Sequence, residues 1–437
     1  MKIIRTILQS IANVFRLKDQ PVWLRRIFQL YIFVAVCAPL LANKEPLLLL
    51  KNGSLTSPAF QSSPYIKVNK NGNELSVLRS AIDWTSFEAD FKLFAIIPYD
   101  PSSSDILNYN YVSPFEKQWR KDPGGSSELQ VLPLHFRHWL GTTKTGADVL
   151  SGLIYSTRLS LLIGFLSMLI ASIIGIIIGS LAGYFGDKGL RVQKLNLLIA
   201  FLLLVPAWYY IFVFPKSSIE LSAEMNQGSS NSFLFLKIIL FVFILLLPFN
   251  LKRLRSKKES MNKGIFIPID SIVSRFLELF LSVPRLILII TLAAISRPSV
   301  LSLILILGFT SWTGIARMVR AEFIRLRESG FVDATSSLGF SPTRKIFFHL
   351  LPNAFEPLRV GIIFGVAGAI LAEAGLSFLG IGLSPDTVTW GSMLAAGREQ
   401  FSAWWLVVFP GLAISVLLLI LNRMSDEKKH LPLEKLL

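Results

Sequence analysis

Few side chains in this sequence stand at spacings that do chemistry. Residues 141–146 read Gly-Thr-Thr-Lys-Thr-Gly, the opening of a phosphate-cradling loop. Ala147 and Asp148, however, occupy the places where a lysine and a hydroxyl residue would meet the phosphates and their metal. His135 and His138 have a spacing that can share a metal ion, yet no carboxylate or thiol lies close by in sequence; the plainer reading is an amphipathic interfacial stretch with Trp139. His349 and His430 are isolated, and neither a His-Glu-x-x-His nor a Gly-x-Ser-x-Gly motif occurs. Cys37 is the single cysteine, which excludes an intramolecular disulfide and a thiolate metal cluster. These residues point away from an enzyme, a resident cofactor or a metal site.

Two features remain. Glu373 is an ionisable residue inside an apolar stretch, where a carboxylate is costly unless paired or wetted. It reads equally as part of a translocation path and as a structural pairing. Arg275 and Glu278, one turn apart, read as a structural ion pair. The second feature is a polar segment between two apolar stretches, residues 328–342. Its pattern predicts a short amphipathic helix from Phe331 to Leu338, stopped by Gly339 and followed by a helix-forming run up to Pro352. Such a helix, held between two breakers, is either a lever for a partner or an ordinary interfacial turn.

The elements that must position these residues are membrane helices. Of the 437 residues 52% are hydrophobic and 16% charged, against about a quarter charged in soluble domains. Apolar stretches of about 18 residues, enough to cross roughly 30 Å of hydrocarbon, recur along the chain. They predict spans at residues 27–41, 160–182, 195–214, 233–251, 276–295, 300–318, 360–378 and 404–421. The formal net charge is +16. The basic residues gather in short clusters beside the spans rather than in one aromatic-interleaved basic domain, which argues against nucleic-acid binding.

The clusters set an orientation with both termini cytoplasmic. Basic residues dominate the segment before the first span (Lys2, Arg5, Arg16, Lys18, Arg25, Arg26) and the loops holding Lys188, Arg191 and Lys194, then Lys252 to Lys263, then Arg317 to Arg327. The first span lacks a small-x-small cleavage pattern and reads as a retained helix. Residues 43–157 read as a small extracytoplasmic region. It has strand-like runs at residues 65–68 and 94–97, and its aromatics Trp84, Phe87, Phe91, Tyr99 and Trp119 suffice for a modest core.

Several motifs in fixed order resemble one family. Asp333-Ala334-Thr335, followed after three residues by Gly339, resembles the EAA loop of ABC importer permeases, and His349-Leu350-Leu351-Pro352-Asn353 matches the end of that loop in peptide permeases. Residues 141–155 resemble the family's GTDxxGRDVLSRLIY run; residues 370–382 are similar to its ILAEASLSFLGLG run; Trp390-Gly391-x-Met393-Leu394 and residues 409–413 continue the match. The chain is thus identified as resembling the dipeptide/oligopeptide/nickel permease family, with an outer segment like that of its microcin C/peptide branch. It departs from the pattern at Thr143, Ala147 and Gly152, which replace one Asp and two Arg, and at Asp333 and Thr335, which soften Glu-Ala-Ala while keeping a negative charge.

The resemblance implies an all-α, six-helix permease core in a bacterial inner membrane that imports peptides and is not itself an enzyme. Its implied partners are a second, homologous permease, two cytoplasmic ATPases below and an extracytoplasmic peptide-binding protein above. Coupling to the ATPases would fall on Asp333, Ala334, Thr335, Gly339 and Pro352; Glu373 is the residue placed in the translocation path. The expected organisation is a cytoplasmic N-terminus and first helix (1–42), an extracytoplasmic segment (43–157), a second helix (158–187), an inserted transmembrane hairpin (188–268) and core helices (269–437) with the coupling loop at about 328–353. In the family the segment matched by residues 183–186 runs almost directly into that matched by residues 269–275, so the two spans between them read as an insertion. A stand-alone secondary transporter or channel, and a permease for nickel or another small solute, are the alternatives.

Overall fold

The computed structural model describes residues 21–51, 54–61, 65–70, 73–78, 82, 84, 87, 89–121, 129–193, 202–203 and 264–425. The two spans expected at 195–214 and 233–251 lie outside the described residues except for 202–203. The described residues form two compact units, one of Ser180–Glu278 and the other of the residues up to Gly179 with those from Leu279 on.

The larger unit is mostly helical. Helix α1 (Val22–Leu41) is followed by a segment of short strands, then by the 37-residue α2 (Val149–Phe185). At 1.5 Å per residue α2 runs about 55 Å, well beyond the hydrocarbon thickness. Helix α3 (Ile269–Ser282) leads to α4 (Arg285–Ile295), and α5 (Val300–Arg327) to the short α6 (Gly330–Ser337). Helices α7 (Pro342–Phe378), α8 (Trp390–Glu399) and α9 (Trp405–Ser425) complete the described residues. Among the described residues five helices are long and apolar enough to cross a membrane, and α3 with α4 as one broken span makes six.

Two expectations change here. The span expected at 276–295 is not one helix: it is interrupted at Val283-Pro284, where Pro284 takes an extended ψ outside helical geometry (φ −56°, ψ 122°) and opens α4 instead. A proline lacks the amide the helix would need there. Conversely Pro352, expected to divide one helix from the next, does not break α7. A π-helical turn over Lys345–Leu350 precedes it, and Leu351 donates its amide to Ile346 five residues back. The widened turn gives the proline ring room that a regular α-helical turn denies it.

α7 is central to the packing and touches α5, α8 and α9, while α9 also meets α1. Ile163 of α2, Ile289 of α4, Leu303 and Leu307 of α5, and Ala369 and Leu376 of α7 form one buried apolar cluster. α2 and α5 approach closely because Gly179 has no side chain: a Cβ there would sit 2.5 Å from the Ala316 carbonyl oxygen and 2.8 Å from Val319 Cβ. Gly179→Leu is therefore expected to force these helices apart at about 1–3 kcal/mol or more. Gly314→Leu, on α5 with nothing within 4 Å of the new Cβ, is expected to fold. The yield and melting temperature of the two purified variants in detergent check this; equal behaviour would refute the packing account.

The segment between α1 and α2 holds a three-stranded antiparallel sheet of β1 (Leu48–Lys51), β2 (Ser54–Thr56) and β5 (Phe91–Leu93), in the order β2-β1-β5. β3 (Tyr65–Lys70) pairs with β4 (Asn73–Leu78), and β6 (Trp119–Lys121) with β7 (Leu129–Val131). The expected strand at 94–97 is displaced to Phe91–Leu93, and Ile97 makes only a single bridge to Ala42. Leu49, Ile82 and Trp84 form the small core, with Phe87 and Phe94 against it. Phe91 and Trp119 stay exposed, so the core uses fewer aromatics than expected.

In the smaller unit β8 (Arg191–Gln193) pairs antiparallel with β9 (Gly264–Phe266), setting Gln193 opposite Gly264. The Asp187 carboxylate accepts from the Ser271 amide (2.9 Å) and hydroxyl (2.8 Å), anchoring the start of α3. Arg275 and Glu278 pair at 3.0 Å on an exposed face.

Candidate functional site

α6 is a short helix with a defined start, a defined end and one buried face. Ser329 precedes it in extended geometry, and Gly339 ends it at φ +71°. The amide of Phe340 donates to the Thr335 carbonyl (3.2 Å) and that of Gly339 to the Ser336 carbonyl (3.0 Å). This is the paired closure of a helix by a left-handed glycine. Val332 and Thr335 face inward, the Thr335 hydroxyl donating to the Val332 carbonyl at 2.7 Å. Asp333, Ala334, Ser337 and Leu338 face outward. Of the residues read as a coupling surface, Asp333 and Ala334 are thus presented, Thr335 seats the helix, and Gly339 shapes its end.

α6 is held by α7. Lys345 Nζ donates to the Ser336 hydroxyl at 2.8 Å, and the Phe340 ring stacks on His349 with centroids 5.4 Å apart. The Arg344 guanidinium lies 4.1 Å above the other partner of that stack, Phe340. These contacts tie the far end of α6 to the π-turn of α7. Pro352 is exposed just beyond the turn, and Asn353 donates its side-chain amide to the His349 carbonyl at 2.6 Å.

Further along α7, Glu373 is fully buried. Its carboxylate accepts from the Ser160 hydroxyl of α2 (3.0 Å) and the Ser377 hydroxyl of α7 (2.9 Å). Hydroxyl donors satisfy a buried carboxyl group without a counter-charge. Glu373 therefore joins α2 to α7.

The structure also assembles a cluster that the sequence reading passed over. His138, fully buried, places Nδ1 2.9 Å from Asp148 Oδ1 and Nε2 3.3 Å from Asp105 Oδ2. Its ring stacks on Tyr99 at 4.1 Å. Both ring nitrogens face carboxylate oxygens, so the doubly protonated imidazolium is the form that donates to both. Burial pulls the His138 pKa down, but the hydrogen bonds and charges of the two carboxylates outweigh it and the net direction is up. Burial pushes the Asp105 carboxyl up, and donation from His138, Asn108 and the Leu107 amide outweighs that, so its net direction is down. Burial, then the two aspartates, push the Tyr99 phenol up. Asp148 Oδ2 also accepts from the Ser151 amide at 2.7 Å, capping α2. His135 has no part in this; it lies against Phe136 instead. His138 is therefore an interior residue and not part of an amphipathic interfacial stretch. The one sequence signal for it was Asp148, a capping residue type directly before the apolar run of α2.

Residues 141–146 form a closed turn. The Gly141 amide donates to His138, Thr142 to Val112, Thr143 to Ala147 and Gly146 to Thr143. Amides spent in this way leave no cradle for a phosphate.

Residues 263–429 match the family described as binding-protein-dependent transport system inner membrane component. A Brucella suis biovar 1 (strain 1330) protein named as a peptide transport system permease is 41% identical over 158 residues, 36% of this chain and 53% of that protein. A Brucella ovis protein named as a peptide permease is 39% identical over 162 residues, with the same coverage of 36% and 53%. The dipeptide transport system permease protein DppC of Alkalihalophilus pseudofirmus is 27% identical over 290 residues, 66% of this chain and 69% of that protein. In the first two matches the chain spans about half the length of the relative.

Proposed function

We propose that this chain, whose residues 263–429 belong to the inner membrane component family of binding-protein-dependent transport systems, is a membrane-spanning permease subunit of an ABC importer for peptides. The observation that carries the reading is α6: a short helix presenting Asp333 and Ala334 outward while Lys345 and the Phe340–His349 stack lock it to α7. A partner that pushes on α6 moves α7, and α7 passes the motion to α2 through Glu373 and to α5, α8 and α9 through packing. Glu373 enters as part of the wall of the translocation path, acting through the two helices it joins.

The full assembly in this reading has a second, homologous permease, two cytoplasmic ATPases docked at α6, and an extracytoplasmic peptide-binding protein, in a bacterial inner membrane with both chain termini cytoplasmic. ATP and the loaded binding protein each favour one of two states of the membrane helices. In this reading the stretch between Gln193 and Gly264 is an insertion into the family's pattern. The antiparallel pairing of Gln193 with Gly264 supports an insertion, because it brings the two ends of that stretch side by side.

Affinity purification of the tagged full chain from its own membranes tests the proposal. An ATPase subunit and a second permease are expected to co-purify, and reconstituted complexes to hydrolyse ATP faster when a peptide and its binding protein are added. Peptide uptake by the purified chain alone, driven by an ion gradient, would show a secondary transporter instead.

A further inference from the structure

At the outer end of α2 lies a cavity of about 430 Å³ lined by Tyr155, Arg158, Leu159 and Leu162 of α2, Pro101 and Ser102 of the outer segment, and Asp386, Thr387 and Val388 before α8. Its size falls within the roughly 300–1,000 Å³ of ordinary small-ligand sites. Arg158 is the single charged side chain in the 37 residues of α2. It stands in the tenth position of that helix, so about 15 Å along it from the outer end. Arg158 is exposed and stands two residues before the apolar stretch 160–182, where a guanidinium bordering hydrocarbon calls for an opposite charge, water or a ligand. Yet among the described residues Arg158 has neither a hydrogen-bond nor an ion-pair partner, and the same holds for Asp386.

Two of the other polar groups of the cavity are already engaged. The Tyr155 hydroxyl donates to the Ala42 carbonyl at 3.1 Å, and the Ser102 hydroxyl to Asp100 at 2.5 Å. What the cavity offers a ligand is therefore one free cation, one free anion, the Thr387 hydroxyl and an apolar wall of Leu159, Leu162 and Val388. Arg158 also heads an exposed stripe of α2 that continues through Leu162, Leu166, Leu169, Ile173 and Ile177, so a ligand held there sits at the outer end of a continuous apolar track.

We propose that this cavity is a peptide-terminus site, in which Arg158 takes the carboxylate of a short peptide and Asp386 faces its ammonium group. The proposal rests on the importer reading above and adds the chemical class of substrate that the chain itself recognises. A guanidinium pairs with a carboxylate through two parallel N–H···O bonds, and the opposite sign at Asp386 sets the direction in which the peptide lies. Asp386 also repels an anionic lipid headgroup, which a lone arginine at this depth would otherwise suit.

The test uses cells carrying the complete transporter and three probes: trialanine, trialanine amide and N-acetyltrialanine. Uptake is compared between variant and wild type on each peptide, so the selectivity of a delivery protein cancels. Arg158→Gln is expected to slow trialanine and N-acetyltrialanine by about tenfold or more, the scale of one charge-assisted pair, and to leave the amide within about twofold. Arg158→Lys is expected to recover part of the loss. Asp386→Asn should show the converse, slowing trialanine and its amide and sparing the acetylated peptide. Should Arg158→Gln be missing from the membrane, Asp386→Asn, in an exposed connection, decides the matter alone. Equal slowing of all three peptides, or of none, overturns the site while the importer reading stands. A wild-type transporter that moves none of the three overturns the importer reading and the site with it. A phospholipid retained by the purified wild type and lost from Arg158→Gln, with uptake unchanged, overturns the site in favour of a lipid contact.

Discussion

Gly339→Pro is expected to abolish uptake while leaving the chain inserted in the membrane. Gly339 holds φ at +71° and donates its amide to Ser336. Proline fixes φ near −65° and has no amide, so neither the conformation nor the bond survives, at a local cost of about 3 kcal/mol. The damage is confined to the end of α6, because nothing lies within 4 Å of a side chain added at this position. Losing the closure also frees Phe340, whose stack on His349 ties the lever to α7. Gly339→Ala keeps the amide and meets open space, so it bears only the left-handed backbone penalty of roughly 1–2 kcal/mol and is expected to transport at a reduced rate. Asp333→Lys tests the presented face without touching the fold: the side chain is exposed and its reversal changes only the charge offered to a basic partner. Uptake in cells, membrane abundance and ATPase activity of the purified complex are the measurements. Near-normal transport by both Gly339→Pro and Asp333→Lys would show that α6 is not where the ATPase acts.

Apolar runs and turn residues were legible in advance because their physics is local. The stretches at 27–41, 300–318 and 360–378 all lie in helices, and that at 404–421 does from its second residue on. α6 was found from its polar pattern and its terminating glycine. Helix lengths were not legible. α2 starts at Val149 and not at residue 160, because its first turns bury Ser151, Ser156 and Ser160 in the protein interior, where a hydropathy window reads them as polar. Pro284 and Pro352 look alike in sequence, yet one divides two helices and the other rides on a π-turn. The difference lies in hydrogen bonding up to five residues away. The His138 cluster was invisible for a different reason: its carboxylates come from 10 and 33 positions away and meet only once residues 105–148 have folded back on α2.

That cluster gives the largest stability effect expected outside the helices. His138→Ala leaves Asp105 and Asp148 facing one another without a cation, with 23% and 1% of their side chains exposed. Removing one member of a buried ion pair costs about 3–5 kcal/mol, and the solvent still reaching Asp105 places this case toward the lower end. His138→Gln keeps a donor but no charge and is expected to lose less. The pH dependence is the discriminating readout. His138 titrates in the fold above its unfolded value, so its contribution is complete below about pH 6.5 and disappears as pH rises through the raised pKa. Asp105 titrates below its unfolded value, so its contribution is complete above about pH 4 and disappears as pH falls through the lowered pKa. Tyr99, the third titratable group against the ring, is held up and stays neutral across this window. The cluster thus stabilises most from about pH 4 to about pH 6.5 and loosens on the alkaline side. Hydrogen exchange of residues 105–148 in the purified protein should speed up as pH rises past neutrality, after correction for the intrinsic rate. In His138→Gln the same residues should exchange faster throughout and lose that extra rise. A variant that keeps the wild-type pH profile would mean that His138 fills space between two aspartates without bridging them by its charge.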